Sequence, residues 1–159
     1  MRNTSRIARH RFYNLFQNLK MSPLRTIDDL PRVPPLPGAF IFWIDEAPPR
    51  CLFVGIASPK LEDGLLERLQ SLLESKNTKS ELHTSLARDV KLGRQYKFDL
   101  KKPVNRDRFL QDHVYFQYLP IQDMKEDELK SFEEFLKESS ELNPRYLLNS
   151  VSPSEKGKQ

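Results

Sequence analysis

Two short runs of aromatic and β-branched residues, Gly38 to Ile44 (GAFIFWI) and Cys51 to Ile56 (CLFVGI), flank the polar, proline-bearing stretch 45–50. Such residues favour a pleated, half-buried backbone, and the break between them is short, so the spacing predicts a β-hairpin. From Lys60 to Ser75 the leucines at 61, 65, 66, 69, 72 and 73 recur with the helical period and predict an amphipathic helix. Residues 80–92 (SELHTSLARDVKL) predict a second helix, with Ser80 as its N-cap and Gly93 near its end. The charged stretch from Lys97 to Arg108 contains Pro103 and is expected to be an exposed connection. It leads to His113–Leu119 (HVYFQYL), which alternates as a strand does and stops at Pro120. Leu129, Phe132, Phe135 and Leu136 then mark an amphipathic helix over 127–140, with Pro144 beyond its end.

Upstream of the hairpin, residues 1–21 contain no acid and interleave Ile7, Phe12, Leu15, Phe16 and Leu19 with arginines, the pattern of an amphipathic basic helix. Three roles are open for it: a helix docked on the body, a nucleic-acid arm, or an organellar transit peptide. Pro31, Pro34, Pro35 and Pro37 fix φ and remove backbone donors, so 31–37 is expected to be an extended connector. Its P-x-x-P spacing matches an SH3 ligand, but a plain linker is the expectation.

The chain of 159 residues has a net charge of +4 that is unevenly spread. Residues 1–32 hold seven basic side chains against Asp28 and Asp29 and so carry +5, while the body between them and the last nine residues carries −2. A polyanion would therefore be drawn to the arm, through Arg2, Arg6, Arg9, Arg11 and Lys20, and such binding would weaken with salt. The length suits one domain. The expected organisation is a basic arm or helix at 1–32, a domain over 33–150 and a disordered tail at 151–159. No apolar run approaches the ~20 residues of a membrane span, and no secretory leader is expected. The single cysteine, Cys51, lies in an apolar run and predicts a buried thiol; with three scattered histidines there is no zinc-ligand spacing. The expected location is cytoplasmic or nucleoid, with organellar targeting by residues 1–21 as the open alternative.

The order of hairpin, helix, helix, strand, helix and a closing Leu-Asn-Pro-Arg-Tyr segment is similar to the layout of the GIY-YIG nuclease superfamily, over about residues 36–150. Leu36-Pro37-Gly38-Ala39-Phe40 stands where that family has Gly-Ile-Tyr, and Leu52-Phe53-Val54-Gly55 where it has Tyr-Ile-Gly. Leu65-Leu66-Glu67-Arg68-Leu69 resembles the helix that presents the family's arginine. Phe132-Glu133, followed by Leu142-Asn143-Pro144-Arg145-Tyr146, resembles its metal-binding glutamate and closing signature. The resemblance implies an α+β fold, a small three-stranded antiparallel sheet flanked by helices, here with the basic N-terminal arm added. It also implies phosphodiester hydrolysis with Mg2+ or Mn2+ held by Glu133, tyrosine phenols helping to activate water and Arg68 neutralising developing charge.

Several positions depart from that pattern. Phe40 and Phe53 keep the ring but lack the hydroxyl, so neither can exchange a proton. Ile56 follows Gly55 where many relatives are basic, and Leu147 follows Tyr146 where asparagine is usual, with Asn149 two residues on. On a helical wheel Arg68 lies about 60° from Leu65, at the edge of the apolar stripe. Pairing with Glu67 or Glu74 is its alternative role. Glu133 lies about 40° from Leu129, whereas Glu134 lies about 140° away and is expected in solvent. His83 and His113 are substitute bases only in principle, since lone histidines usually serve as hydrogen-bonded structure. Tyr115 and Tyr118 have opposite parity on their strand and cannot share a face. The expected function is an endonuclease-like domain engaging DNA or RNA with weak or absent catalysis. The alternative is an inactive protein-interaction module in which the aromatic sheet face (Phe40, Phe42 and Phe53) is packing surface and the basic arm docks on a partner.

Overall fold

The computed structural model describes residues 6–74 and 80–146; Arg2, Leu147, Asn149 and the tail at 151–159 lie outside them. The fold is α+β, with a three-stranded antiparallel sheet flanked by helices. The hairpin forms as β1 (Gly38–Ile44) and β2 (Arg50–Ala57), and β1 also pairs with β3 (Val114–Pro120), giving the order β2-β1-β3. The central strand is uniformly apolar because both of its faces are covered. Phe40, Phe42, Phe53 and Phe116 point to one face, and Ala39, Ile41, Val54 and Ile56 to the other.

The phenylalanine face is covered by α2 (Gly64–Leu73), α3 (Glu81–Arg88) and α5 (Pro103–His113), through Leu65, Leu69, Leu82, Leu86, Phe109 and Leu110. The opposite face is covered by α1 (Arg6–Met21) and α6 (Glu126–Glu138), whose Phe12, Phe16, Leu19, Leu129, Phe132 and Leu136 are buried. Residues 1–21 thus contribute a helix docked on the sheet. The 3-10 helix Ile27–Arg32 and an isolated bridge between Arg25 and Phe116 carry the chain from α1 into β1.

Two expectations need correction. The helix expected over 80–92 is two, α3 and α4 (Val90–Tyr96), because Asp89 breaks the ladder and its carboxylate accepts the Leu92 N–H (2.9 Å) to cap the second. The expected loop at 97–108 holds most of α5: Pro103 sits in its first turn, where a missing N–H costs nothing, instead of interrupting a connection. Among the described residues no helix is long and apolar enough to cross a membrane.

Candidate functional site

The C-terminal end of β2 is clasped between α2 and α6, and a groove of about 370 Å³ opens there. Ile56 and Ser58 form its floor, Glu67, Arg68 and Ser71 one wall, and Glu126, Lys130 and Glu133 the other. Arg68 and Glu133, singled out from separate motifs, therefore converge on one surface. The wheel positions explain this, since each lies at the border of its helix's buried stripe and reaches past the sheet edge. Glu134, one residue on, is exposed.

Both groups are engaged. Arg68 Nη2 donates to Oε1 of Glu81 at 2.8 Å, a residue on α3, so its partner is neither Glu67 nor Glu74. Glu133 Oε1 lies 3.8 Å from Nζ of Lys137, one turn on. Lys137 is 8% exposed, and its ammonium makes no hydrogen bond to the described residues. Burial pushes the pKa of Lys137 down, while the carboxylates of Glu133, Glu134 and Glu81 oppose that shift. Lys60 and Lys130 bracket Glu126 at 3.0 and 3.4 Å, so the groove carries interleaved charges of both signs.

That donor set bears on a divalent ion. Mg2+ can manage with one or two carboxylates when substrate phosphates and water complete its octahedron. Glu133 offers one, with an ammonium beside it, and among the described residues no group of three or more His, Cys, Asp or Glu is placed to hold a metal. The described residues thus build no cage of their own for Mg2+ or Mn2+, and Glu133 is the carboxylate that would hold such an ion beside substrate phosphate and water.

Phe40 and Phe53 do share a face, as their strand positions require, with ring centroids 6.4 Å apart and nearly parallel planes. They do not reach the groove. Both are fully buried, Phe40 lies directly over Gly55, and with Phe42 they form the interior under α2. That face is consequently packing surface, covered by the chain's own helices. Ile56, on the other face, is the hairpin side chain that lines the groove.

The closing segment has a role that the motif alone did not suggest. Arg145 donates through Nε and Nη2 to the two carboxylate oxygens of Asp89 (2.8 and 3.1 Å), and the Tyr146 hydroxyl donates to Asp89 Oδ2 (2.6 Å). Burial works to raise the Asp89 pKa, but those hydrogen bonds and the Leu92 N–H outweigh it and hold the carboxyl at about 2. The Arg145 and Tyr146 N–H groups also bond to the carbonyls of Cys51 and Leu52 (3.0 and 3.3 Å), covering the outer edge of β2. A bidentate fork is the geometry arginine favours, so an acid ahead of a short helix was the only signal available for Asp89.

His83 and His113 are both engaged by the fold. His83 is buried, accepts from Arg106 Nε at Nδ1 (2.9 Å) and places Nε2 3.0 Å from the Leu73 carbonyl, which fixes the neutral Nε2–H tautomer. His113 sits 3.2 Å from Asp45 and packs on Tyr96. Burial pushes the Cys51 thiol up to about 12, which leaves it inert at neutral pH. On α1, Arg11 pairs with Asp123 (2.8 Å), and Lys20 pairs with Glu141 and lies over the Phe16 ring, whereas Arg6 and Arg9 have no acidic partner among the described residues. Comparisons of the chain with protein-family models, with curated proteins and with solved structures find no match.

Proposed function

We propose that this chain is a nucleic-acid-engaging domain of GIY-YIG-like design in which metal-dependent phosphodiester hydrolysis is weak or lost. One observation carries the reading: Arg68 and Glu133 meet on a single groove, yet each is held by an internal partner of opposite charge. A guanidinium that stabilises a transferring phosphoryl group must be aimed at the developing charge, and Arg68 is aimed at Glu81. A neighbouring ammonium competes with a divalent ion for a carboxylate, and Glu133 lies 3.8 Å from that of Lys137. The buried rings of Phe40 and Phe53 supply no proton donor or acceptor to replace the missing phenols.

The test has two parts. Fluorescence anisotropy with labelled DNA and RNA at 50 and 200 mM salt should show binding that weakens steeply with salt. Absence of any retention at 50 mM would overturn the nucleic-acid half. Incubation of plasmid, branched and single-stranded DNA with Mg2+ or Mn2+ should give little cleavage. Efficient cleavage that disappears in both Glu133→Gln and Arg68→Ala would overturn the claim of weak or lost catalysis.

A further inference from the structure

The four cations of α1 divide into two pairs. Arg11 and Lys20 are bound to Asp123 and Glu141 of the body, so they hold the helix down and have little charge left for a ligand. Arg6 and Arg9 are exposed and without such partners among the described residues. With His10 and Tyr13 they follow the i, i+3, i+4, i+7 spacing of a single stripe about two turns, ~10 Å, long. That stripe and the half-buried Phe135 of α6 line a shallow groove of about 560 Å³. Tyr13 is 50% exposed, an unusual outlay of aromatic surface beside two uncompensated guanidiniums. Phe135 packs against the rings of Phe12 and Phe16 at 5.7 and 6.2 Å, so this wall is backed by the core.

From this juxtaposition we infer that the α1–α6 groove is a binding site for single-stranded nucleic acid, with Arg6 and Arg9 on successive phosphates and an unpaired base stacked on Tyr13. The inference rests on the nucleic-acid reading above and deepens it. Charge complementarity selects a polyanion, since among the described residues no acid lines the groove. The exposed ring selects among polyanions, because a base in a single strand can unstack and offer its π-face, whereas a base within a duplex has both faces covered by its stacked neighbours. Arginine guanidiniums add both charge and planar stacking.

The experiment uses the full chain with a fluorescent oligothymidylate and a duplex of equal length, titrated at several salt concentrations. The single strand should bind more tightly than the duplex. Arg6→Gln/Arg9→Gln should reduce the slope of log K against log salt by about 1.4, at ~0.7 per phosphate contact on a single strand. Tyr13→Ala should weaken binding about fivefold or more, with Tyr13→Phe close to the parent protein because the ring is retained. Arg11→Gln should leave the slope unchanged. If the parent protein binds but the Arg6/Arg9 and Tyr13 variants bind equally well, or the duplex is preferred, this site is wrong while the broader reading stands. If the parent protein binds neither probe at the lowest salt, both fall together.

Discussion

Among the described residues Lys137 carries a buried charge that is only partly compensated. Its ammonium is buried, lacks a hydrogen bond to the described residues, and has the carboxylates of Glu133 and Glu134 only at 3.8 and 4.0 Å. Desolvation of a charge costs several kcal/mol, and ion pairs at these distances return only part of it. Methionine fills a similar volume without the charge. Lys137→Met should therefore be neutral or stabilising by up to ~2 kcal/mol in a thermal melt; a loss of more than about 1 kcal/mol would show that the pair is a net gain. Asp89 makes the opposite case. Its carboxyl is held at about 2 against ~3.9 in an unfolded chain, so the unfolded state binds the extra proton as the pH falls. Its stabilisation is complete above about pH 4 and is lost toward pH 2. Asp89→Asn should cost about 2–3 kcal/mol at pH 7, by leaving Arg145 without its counter-charge, and should flatten the acid limb of the stability curve between pH 4 and 2. An unchanged acid limb would mean that another carboxylate governs it. His83 adds to the acid side at higher pH. Burial, its main influence, lowers its pKa, so below ~6.5 the unfolded chain takes up a proton that the folded one resists, and stability falls with pH.

At the scale of elements, periodicity and local chemistry account for what the residues alone revealed. The hairpin strands were legible as short aromatic and β-branched runs around a proline-bearing break, and the third strand and α6 because their apolar residues recur with period 2 or 3.6. α5 was not: it buries Phe109, Leu110 and Arg106 amid charge, and the arginine is buried with its N–H groups donating to His83 and to the carbonyls of Leu100 and Lys101. Such a partner network has no period in sequence. The wheel placed Arg68 and Glu133 at the edges of their stripes, and that sufficed to bring them to one groove. Their partners Glu81 and Lys137 were not foreseeable, because one depends on how α3 packs beside α2 and the other on how deeply α6 sinks. The start of α2 is another tertiary effect. The helical pattern begins at Lys60, but the helix begins at Gly64, whose φ is +46° and whose absent Cβ leaves room for the Leu36 backbone. The Leu65 N–H bonds the Leu36 carbonyl at 2.7 Å and ties the helix to the strand entry. A Cβ here would come within 2.3 Å of that carbonyl, so Gly64→Ala should lower stability by ~2 kcal/mol or more, read from urea unfolding. A change under ~0.5 kcal/mol would mean that the entry to α2 shifts freely.

On the scale of the whole molecule, the sheet is a single layer with two covers, and the cover formed by α1 and α6 depends on the part of the chain with the most positive charge. Composition makes residues 1–21 look detachable, since they are basic, free of acid and followed by prolines. Packing says otherwise. Phe12, Phe16 and Leu19 are no more than 5% exposed, and Phe12 meets Phe132 at a ring distance of 5.4 Å. Burying side chains of this size contributes ~1.5–3 kcal/mol each, so the three together supply ~5–9 kcal/mol, a figure comparable to the 5–15 kcal/mol net stability of an ordinary domain. Removing α1 would also expose Ile41, Leu129 and Phe132 on the sheet and α6. A variant beginning at Ser22 should accordingly lose its cooperative thermal transition and near-ultraviolet dichroism and bind a hydrophobic dye, while far-ultraviolet dichroism keeps much of its helical signal. A sharp transition within a few degrees of the full chain's would show instead that the sheet and α6 are stable uncovered. The same reasoning constrains how nucleic-acid binding is studied: loss of binding on truncation would report unfolding, and only surface variants such as those at Arg6, Arg9 and Tyr13 separate the charge of the helix from its place in the core.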